Sequence, residues 1–532
     1  MYSELFVNGE RQSLARYPNS DYLYTGEVIS SGRGAVSDEG GDPAPDIYEI
    51  SDELAKKIAG WKDINNVWAY GFWMYDWADG SSPIKSIDSE NNELTLKYQS
   101  FFGAKEGAPY YFYNCLEELD CEGEWYLDRE TGLLCLYAPE NAKEAEISLS
   151  LSTQPVIQIN ADFITLEGFT VKGSRSGGIT VYGNNNRIIN CVIKNVSGEG
   201  IQVIGCENKI VGNEICNTGR GGISVTGGDR TTLTSANNLV SNNLIHDWSQ
   251  IFKTYQAGIN VGGVGNVCSH NELYNAPHLA ITYDGNNHIF EYNLIHSVCL
   301  ETDDAGAIYA GRSWTSYGNH IRYNCIYNIG SGGHTPDGIY MDDAIGGQNI
   351  YGNLLINIPK YAIFIGGGRD MNVFGNVIVN AGECAIRYDA RARDAVLGET
   401  WFTEHVKKDS GDLWLGLYSS PWKSGIWQEA FVQYKSMTDD FNYLNDKSFI
   451  PNPSNSLVRS NIIFDKRASI GKIDSAVVEF STVENNGVYA LYSMDSFFVD
   501  ISEGNYAIKE DFDIYSLFPD FEPIPIENIG RK

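Results

Sequence analysis

The sequence predicts an all-β fold: a right-handed parallel β-helix of about ten coils, with a small β-rich module ahead of it and a partly helical insertion within it. Three observations lead there. Short apolar runs recur with a base period of about 22 or 23 residues, most repeats carry an Asn at one fixed place, and 55 Gly and 33 Tyr in 532 residues suit short strands joined by tight turns.

A chain of this length exceeds one small core, and we divide it at about residue 150. Residues 1–150 lack the Asn repeat. They contain GEWYLDRETGLLCLYAPE, two strands about a turn, and one short helix from Asp52 to Ala59 with Ser51 as N-cap. The run WKDINNVWAYGFWMYDW, from Trp61 to Trp77, reads as core packing in preference to a platform for sugar rings.

From residue 151 the repeat takes over. RIINCVIKNVSGEGIQVIG, KIVGNEICNTGRGGISVTG, NIYGNLLINIPKYAIFIGG and NVFGNVIVNAGECAIRYDA each read as strand, Asn, strand, turn, strand. The Asn positions are 190, 213, 243, 271, 293, 324, 353, 376 and 461, with Glu167 at the same place in the first unit. Strands this short leave no room for helices between them; three per coil, stacked about 4.8 Å apart, satisfy both the period and the composition. Stacked Asn side chains then bond one another and the backbone at one bend. The recurrent LxxLxL of a leucine-rich repeat is absent.

Alternation sets the register. Ile179, Ile201, Ile223, Ile259, Ile281, Ile308, Ile339, Ile363 and Ile386 form one inward row. The residues beside them face solvent, among them Tyr309, Tyr340 and Arg387, and at the next outward step Asp284, Gly311, Asp342, Gly366 and Asp389. Acids alternating with glycines along a ladder are poor material for a structural surface, since stacked like charges repel and Gly weakens strands. They mark either a trough containing acids or, with GG and GN as ordinary turn signals, only the start of the next turn. The insertion, about 391–455, leaves from the strand carrying Asp389, so it borders the trough. Its Trp401, Trp414, Trp422 and Trp427 either stack on sugars or hold the insertion to the coils.

Bulk charge excludes some functions. Acidic residues outnumber basic ones 69 to 38, for a net charge of −31, which repels a phosphate backbone. No stretch approaches 18 consecutive apolar residues, so no membrane partner is expected. The N-terminus lacks a signal-peptide pattern, which leads us to expect a cytoplasmic protein as written, or a secreted one if a leader has been removed. Ten scattered cysteines without CxxC read as reduced, buried thiols rather than disulfides or a zinc site. We expect no metal and no cofactor.

Carboxylates crowd two adjacent coils: Glu301, Asp303 and Asp304 ahead of one strand, and Asp337, Asp342 and Asp343 around the next. Two carboxyl groups across a groove, one protonated and one ionised, are what cleavage of a glycosidic bond needs, and like-charge proximity raises one pKa to supply the acid. Asp337, after Pro336 in TPDG, reads as a turn residue. Arg312, Trp314, Tyr309, Tyr340, His334, Arg387 and Asp284 are candidates for gripping a sugar; Arg322 lies on a different face. Asp304 and Asp342 differ by seven residues in their offsets from the inward row, about 23 Å if extended, so they meet only if the ETDDAG loop folds over the strands.

The stretches ELFVNGERQSLARYPN, ETDDAGAIYAGRSW, GIYMDD and FEPIPIENIG together resemble bacterial β-helix glycosidases of glycoside hydrolase family 141. That resemblance implies α-L-fucosidase- or xylanase-like action on a complex glycan of plant or host type. It also implies a catalytic pair at Asp304 and Asp343, with Asp303 and Asp342 as one-residue alternatives. Members of that family carry export signals and further coils before the LFVNG module, so a partner chain supplying N-terminal coils is one expectation. Two other readings are a polysaccharide lyase or uronate epimerase using Ca²⁺ on Asp284, Asp342 and Asp389, and a non-catalytic glycan-binding helix.

Overall fold

Three parallel sheets of eleven strands each run the length of the larger unit of the chain. In the computed structural model the described residues are 3–31, 45–140, 143–467, 469–501, 505–509, 514–518 and 521–532. The units are Met1–Leu151 and Ser152–Lys532. The first sheet runs from Ile157–Ile159 to Gly471–Ile473, the second from Thr165–Glu167 to Thr482–Glu484, and the third from Thr170–Ser174 to Gly487–Ala490. Each coil contributes one strand to each sheet, which makes a parallel β-helix of eleven coils.

The isoleucine row stands as the alternation requires. From Ile179 to Ile386 each residue pairs in register with the next, and none is more than 1% exposed. Residues one step along face outward because strand side chains alternate.

A buried amide column runs beside this core. Asn213, Asn243, Asn271, Asn293, Asn324, Asn353, Asn376 and Asn461 each pass a side-chain N–H to the Oδ1 of the next Asn at 2.9–3.0 Å, the column ending at Asn486. The same Oδ1 accepts the backbone N–H of the preceding Asn. Two expected members differ. Cys191, not Asn190, precedes Asn213 in the column, its N–H donating to Asn213 Oδ1 at 2.9 Å. Asn190 sits in the turn at φ +52°, a left-handed conformation that Asn tolerates. Glu167 is an exposed strand residue paired with Ile189. A second column, Asn186, Asn208, Asn238, Asn266, His288 and Asn319, lies at the other end of the second sheet's strands and links coils in the same way.

The insertion forms helices Arg391–Val396, Asp412–Ser419 and Gly425–Ala430. Trp414, Trp422 and Trp427 build its apolar core together with Trp314 and Tyr317 from the coils, while Trp401 is 68% exposed. All ten cysteines are free thiols.

In the smaller unit, the helix Asp52–Ala59 is capped by Ser51, whose hydroxyl accepts the Leu54 N–H at 3.2 Å. Trp61 and Trp73 are buried in the unit's core, Trp73 stacked on Tyr48 at 5.5 Å. Those two members of the aromatic run are therefore core.

Replacing Asn293 with Ala takes the Oδ1 acceptor from the backbone and side-chain N–H groups of Asn271 and a donor from the Cys268 carbonyl. At about 1–3 kcal/mol for each orphaned group, Asn293→Ala is expected to lower stability by roughly 3–5 kcal/mol, measured as a fall in the urea midpoint. An unchanged midpoint would show that the column is not structural.

Candidate active site

The outward ladder of the first sheet explains its own glycines. Gly311 pairs with Asp342 and Gly366 with Asp389, alternating along adjacent coils. A Cβ on Gly366 would stand 2.7 Å from the guanidinium carbon of Arg391, the first residue of the insertion's first helix. With no side chain there, Arg391 lies across the strand. It donates to Asp342 Oδ1 at 2.8 Å and Asp343 Oδ1 at 3.1 Å from one nitrogen, and to Asp389 Oδ2 at 2.9 Å from another. One cation thus holds three carboxylates that would otherwise repel.

The adjacent acids Asp342 and Asp343 have different surroundings. Asp342 projects from the end of strand Asp337–Asp342 and accepts the Tyr309 hydroxyl at 3.0 Å. Burial first, then the charge of Asp343, pushes its carboxyl up to about 7, against the pull of Arg391. Asp343 follows in a left-handed turn, φ +43°, with Ala344 at +64°. Its Oδ2 takes Arg312 Nε at 3.0 Å and its Oδ1 takes Arg391, so a guanidinium covers each oxygen.

Asp304 arrives on the loop before strand Gly306–Gly311, itself left-handed at φ +48° and exposed. The offset along the chain is bridged by a side chain. Tyr340 projects outward two residues before Asp342 and in register with Tyr309; its hydroxyl donates to Asp304 at 3.1 Å, while that of Tyr309 donates to Asp342. Burial and the nearby carboxylates raise the Tyr309 and Tyr340 phenols well above their ordinary value, so both remain donors. Tyr255, 48% exposed, meets Tyr309 edge-on at 6.2 Å and completes the rim.

The other expected residues fall in various places. Asp303 accepts the Thr335 N–H at 2.6 Å and contacts His334 Nδ1 at 2.8 Å, joining two loops. Burial opposes its charge, but these bonds outweigh burial and hold its carboxyl below the usual value. His334 is taken up in that pairing. Trp314 is buried edge-on to Trp414 at 4.6 Å in the insertion core, away from any sugar. Arg387 shares the outward row with Tyr340 and pairs with Asp474 at 2.6 Å. Asp284 is exposed, farther along the ladder, with its backbone carbonyl on His288 Nε2. Arg322 pairs with Glu291 on the second sheet.

Asp337 requires a correction. It opens a strand instead of a turn, fully buried, with Oδ1 accepting the Tyr361 N–H at 3.0 Å and Oδ2 unpartnered. Two site residues escaped the sequence reading, Arg391 and Tyr255. The DARARDA run directly after the acid ladder was a usable signal for Arg391; nothing in the sequence distinguished Tyr255.

Burial pushes the Asp337 carboxyl up to about 8, opposed by Lys360. A raised native pKa means the folded chain keeps a proton that the unfolded chain sheds near the ordinary aspartate value of 3.8, so stability is lost as pH rises toward about 8. Asp337→Asn removes that loss. Its stability relative to wild type is expected to grow between pH 5 and pH 9, by roughly 5 kcal/mol at most, read from denaturant unfolding at each pH. A constant difference would show that Asp337 is ionised in the native state.

No protein-family model matches the chain, and no curated protein does either. Among solved structures it is similar to one described as a glycoside hydrolase, at 15% identity and a TM-score of 0.56, covering 69% of this chain and 76% of that one. It is also similar to a PL6 family polysaccharide lyase from Pseudopedobacter saltans, at 11% identity and a TM-score of 0.40 over 71% of this chain and 85% of the other. A third is the catalytic unit of a GH87 α-1,3-glucanase from Streptomyces thermodiastaticus, at 11% identity and a TM-score of 0.29, covering 92% and 84%. At this identity the first likeness shows a shared fold.

Proposed function

We propose that the chain is a glycoside hydrolase, with Asp342 as general acid and Asp304 as the carboxylate that attacks the sugar or activates water. The observation that carries this is the pair of neighbouring phenols, Tyr340 donating to Asp304 and Tyr309 donating to Asp342, with ring centroids 5.4 Å apart. Paired carboxyls on one patch of a groove are what cleavage of a glycoside requires. Asp342, holding its proton up to about pH 7, protonates the glycosidic oxygen as the bond from C1 breaks. Asp304, exposed across the gap, bonds to C1 directly or takes a proton from the water that does.

Asp343, the partner that the family 141 resemblance favours, has both oxygens under arginine. We assign it to tuning Asp342 by its charge. The remaining expectations from that resemblance, fucosidase- or xylanase-like action on a plant or host glycan, form the substrate class we propose, with Tyr309, Arg312 and Tyr255 on the rim to contact the sugar. The Ca²⁺ lyase reading loses two of its three ligands, because Arg391 occupies Asp342 and Asp389.

Aryl glycosides and cell-wall polysaccharides screened with wild type, Asp304→Asn and Asp342→Asn test the assignment. Each substitution is expected to cost about 10²–10⁴ in kcat, and kcat/KM of the wild type is expected to fall as pH rises through about 7 while Asp342 loses its proton. Full turnover in both variants would remove the pair, and saturable glycan binding with no hydrolysis would make the chain a binding protein.

A further inference from the structure

We propose that Glu214, Cys216 and His246 form a binding site for a zinc-type divalent cation on the outside of the third sheet. Glu214 and Cys216 flank the inward Ile215 on strand Glu214–Thr218, so both point outward. His246 ends strand Leu244–His246 on the next coil, directly beside Cys216 in register. One carboxylate oxygen, the thiol sulfur and one imidazole nitrogen lie within 4.8 Å of one another, and His246 Nε2 is 3.5 Å from Glu214 Oε1. Donors bound at about 2.0–2.3 Å around tetrahedral zinc stand roughly 3.3–3.8 Å apart. Small side-chain rotations close the difference.

The imidazole is already oriented. Asp247 Oδ2 holds Nδ1 at 2.5 Å, and Tyr274 stacks on the ring at 5.0 Å and 6°. A carboxylate on one ring nitrogen fixes the other toward the neighbouring donors, as in carboxylate–histidine–metal arrangements. Nitrogen, sulfur and oxygen donors together suit a borderline-soft ion such as Zn²⁺ or Co²⁺. Thiolate, carboxylate and neutral imidazole complement a double positive charge, and Glu214, with 44% of its side chain exposed, leaves an entry path and a fourth position for water. Binding releases to solvent the thiol proton and, from a charged ring, the His246 Nε2 proton that faces Glu214, and involves no redox change. The same outward column carries Lys194 before the site and Tyr274, His296 and Tyr327 after it, which cannot supply the same three donors. One other His/Cys/carboxylate group occurs among the described residues, Asp120, Cys121 and Glu124. There Glu124 already accepts the N–H groups of Arg16, Asp120 and Cys121.

Titration of the full chain with Co²⁺, followed by absorbance, tests the site. A saturable one-to-one spectrum with a sulfur-to-cobalt charge-transfer band, displaced by Zn²⁺, is expected. Cys216→Ser should abolish the band, Asp247→Asn should weaken binding roughly 10–100-fold, and Cys121→Ser should leave both unchanged. No saturable band, a band that survives Cys216→Ser or vanishes in Cys121→Ser, or unaltered affinity in Asp247→Asn would overturn the proposal. Asp247→Asn leaves all three donors in place and gives the answer even if Cys216→Ser fails to fold.

Discussion

Everything in the larger unit depends on coils stacking in register at the strand spacing, and the buried amide columns are what make the bends stackable. A bend that turns the chain between sheets strips backbone N–H and C=O groups of ladder partners, and leaving them bare in the interior costs more than any single apolar contact returns. An Asn donates twice and accepts twice, so one side chain per coil satisfies its own bend and joins it to the next. Insertions can then enter between bends without disturbing the stack. The column steps directly from Asn376 to Asn461 across the whole insertion.

That constraint delivers the site. Stacking puts Tyr309 beside Tyr340 and Gly311 beside Asp342 one strand spacing apart, which no local segment of chain could arrange. Charge then has to be managed in a molecule of net −31. Arg391 and Arg312 neutralise Asp343 and Asp389, while Asp342 has the Tyr309 hydroxyl, the Asp343 N–H and one shared guanidinium. Left-handed backbone at Asp304, Arg312, Asp343 and Ala344 costs of order 1–3 kcal/mol each and is sustained by these surroundings. The same conformation recurs at bends along the coils, as at Asn195, Asn217, Asn242, Tyr292 and Ser460, so at the site the coil's ordinary bend geometry is what aims these side chains.

Much of the fold was legible because two periods coincide in the sequence. The two-residue alternation gave the inward isoleucines and the outward ladder, and the coil period gave the stacking. The ladder's start was misread by one residue, since Asn190 and Asn213 are both asparagines in similar surroundings and only the turn at Asn190 separates them. The second polar column was legible in principle: Asn208 and Asn213, Asn238 and Asn243, Asn266 and Asn271 are each five apart. The site was less legible. The place of Asp304 depends on the length of the Tyr340 side chain, and the coverage of Asp343 depends in part on an arginine that reaches back from the insertion. Neither follows from a period, and only the arginine leaves a trace, in the DARARDA run.

The choice between Asp342 and Asp343 shows how far one residue can matter. Both are aspartates at the end of the same strand, yet the strand's alternation carries Asp342 outward to the phenols while the left-handed turn swings Asp343 under Arg312. A carboxyl that is buried beside another carboxylate keeps its proton more firmly, which is what raises Asp342. In the reaction we propose, Asp342 is the acid because Asp343 stands beside it. On this reasoning the guanidiniums on Asp343 support the chemistry proposed for Asp342 as directly as any group that would touch the sugar.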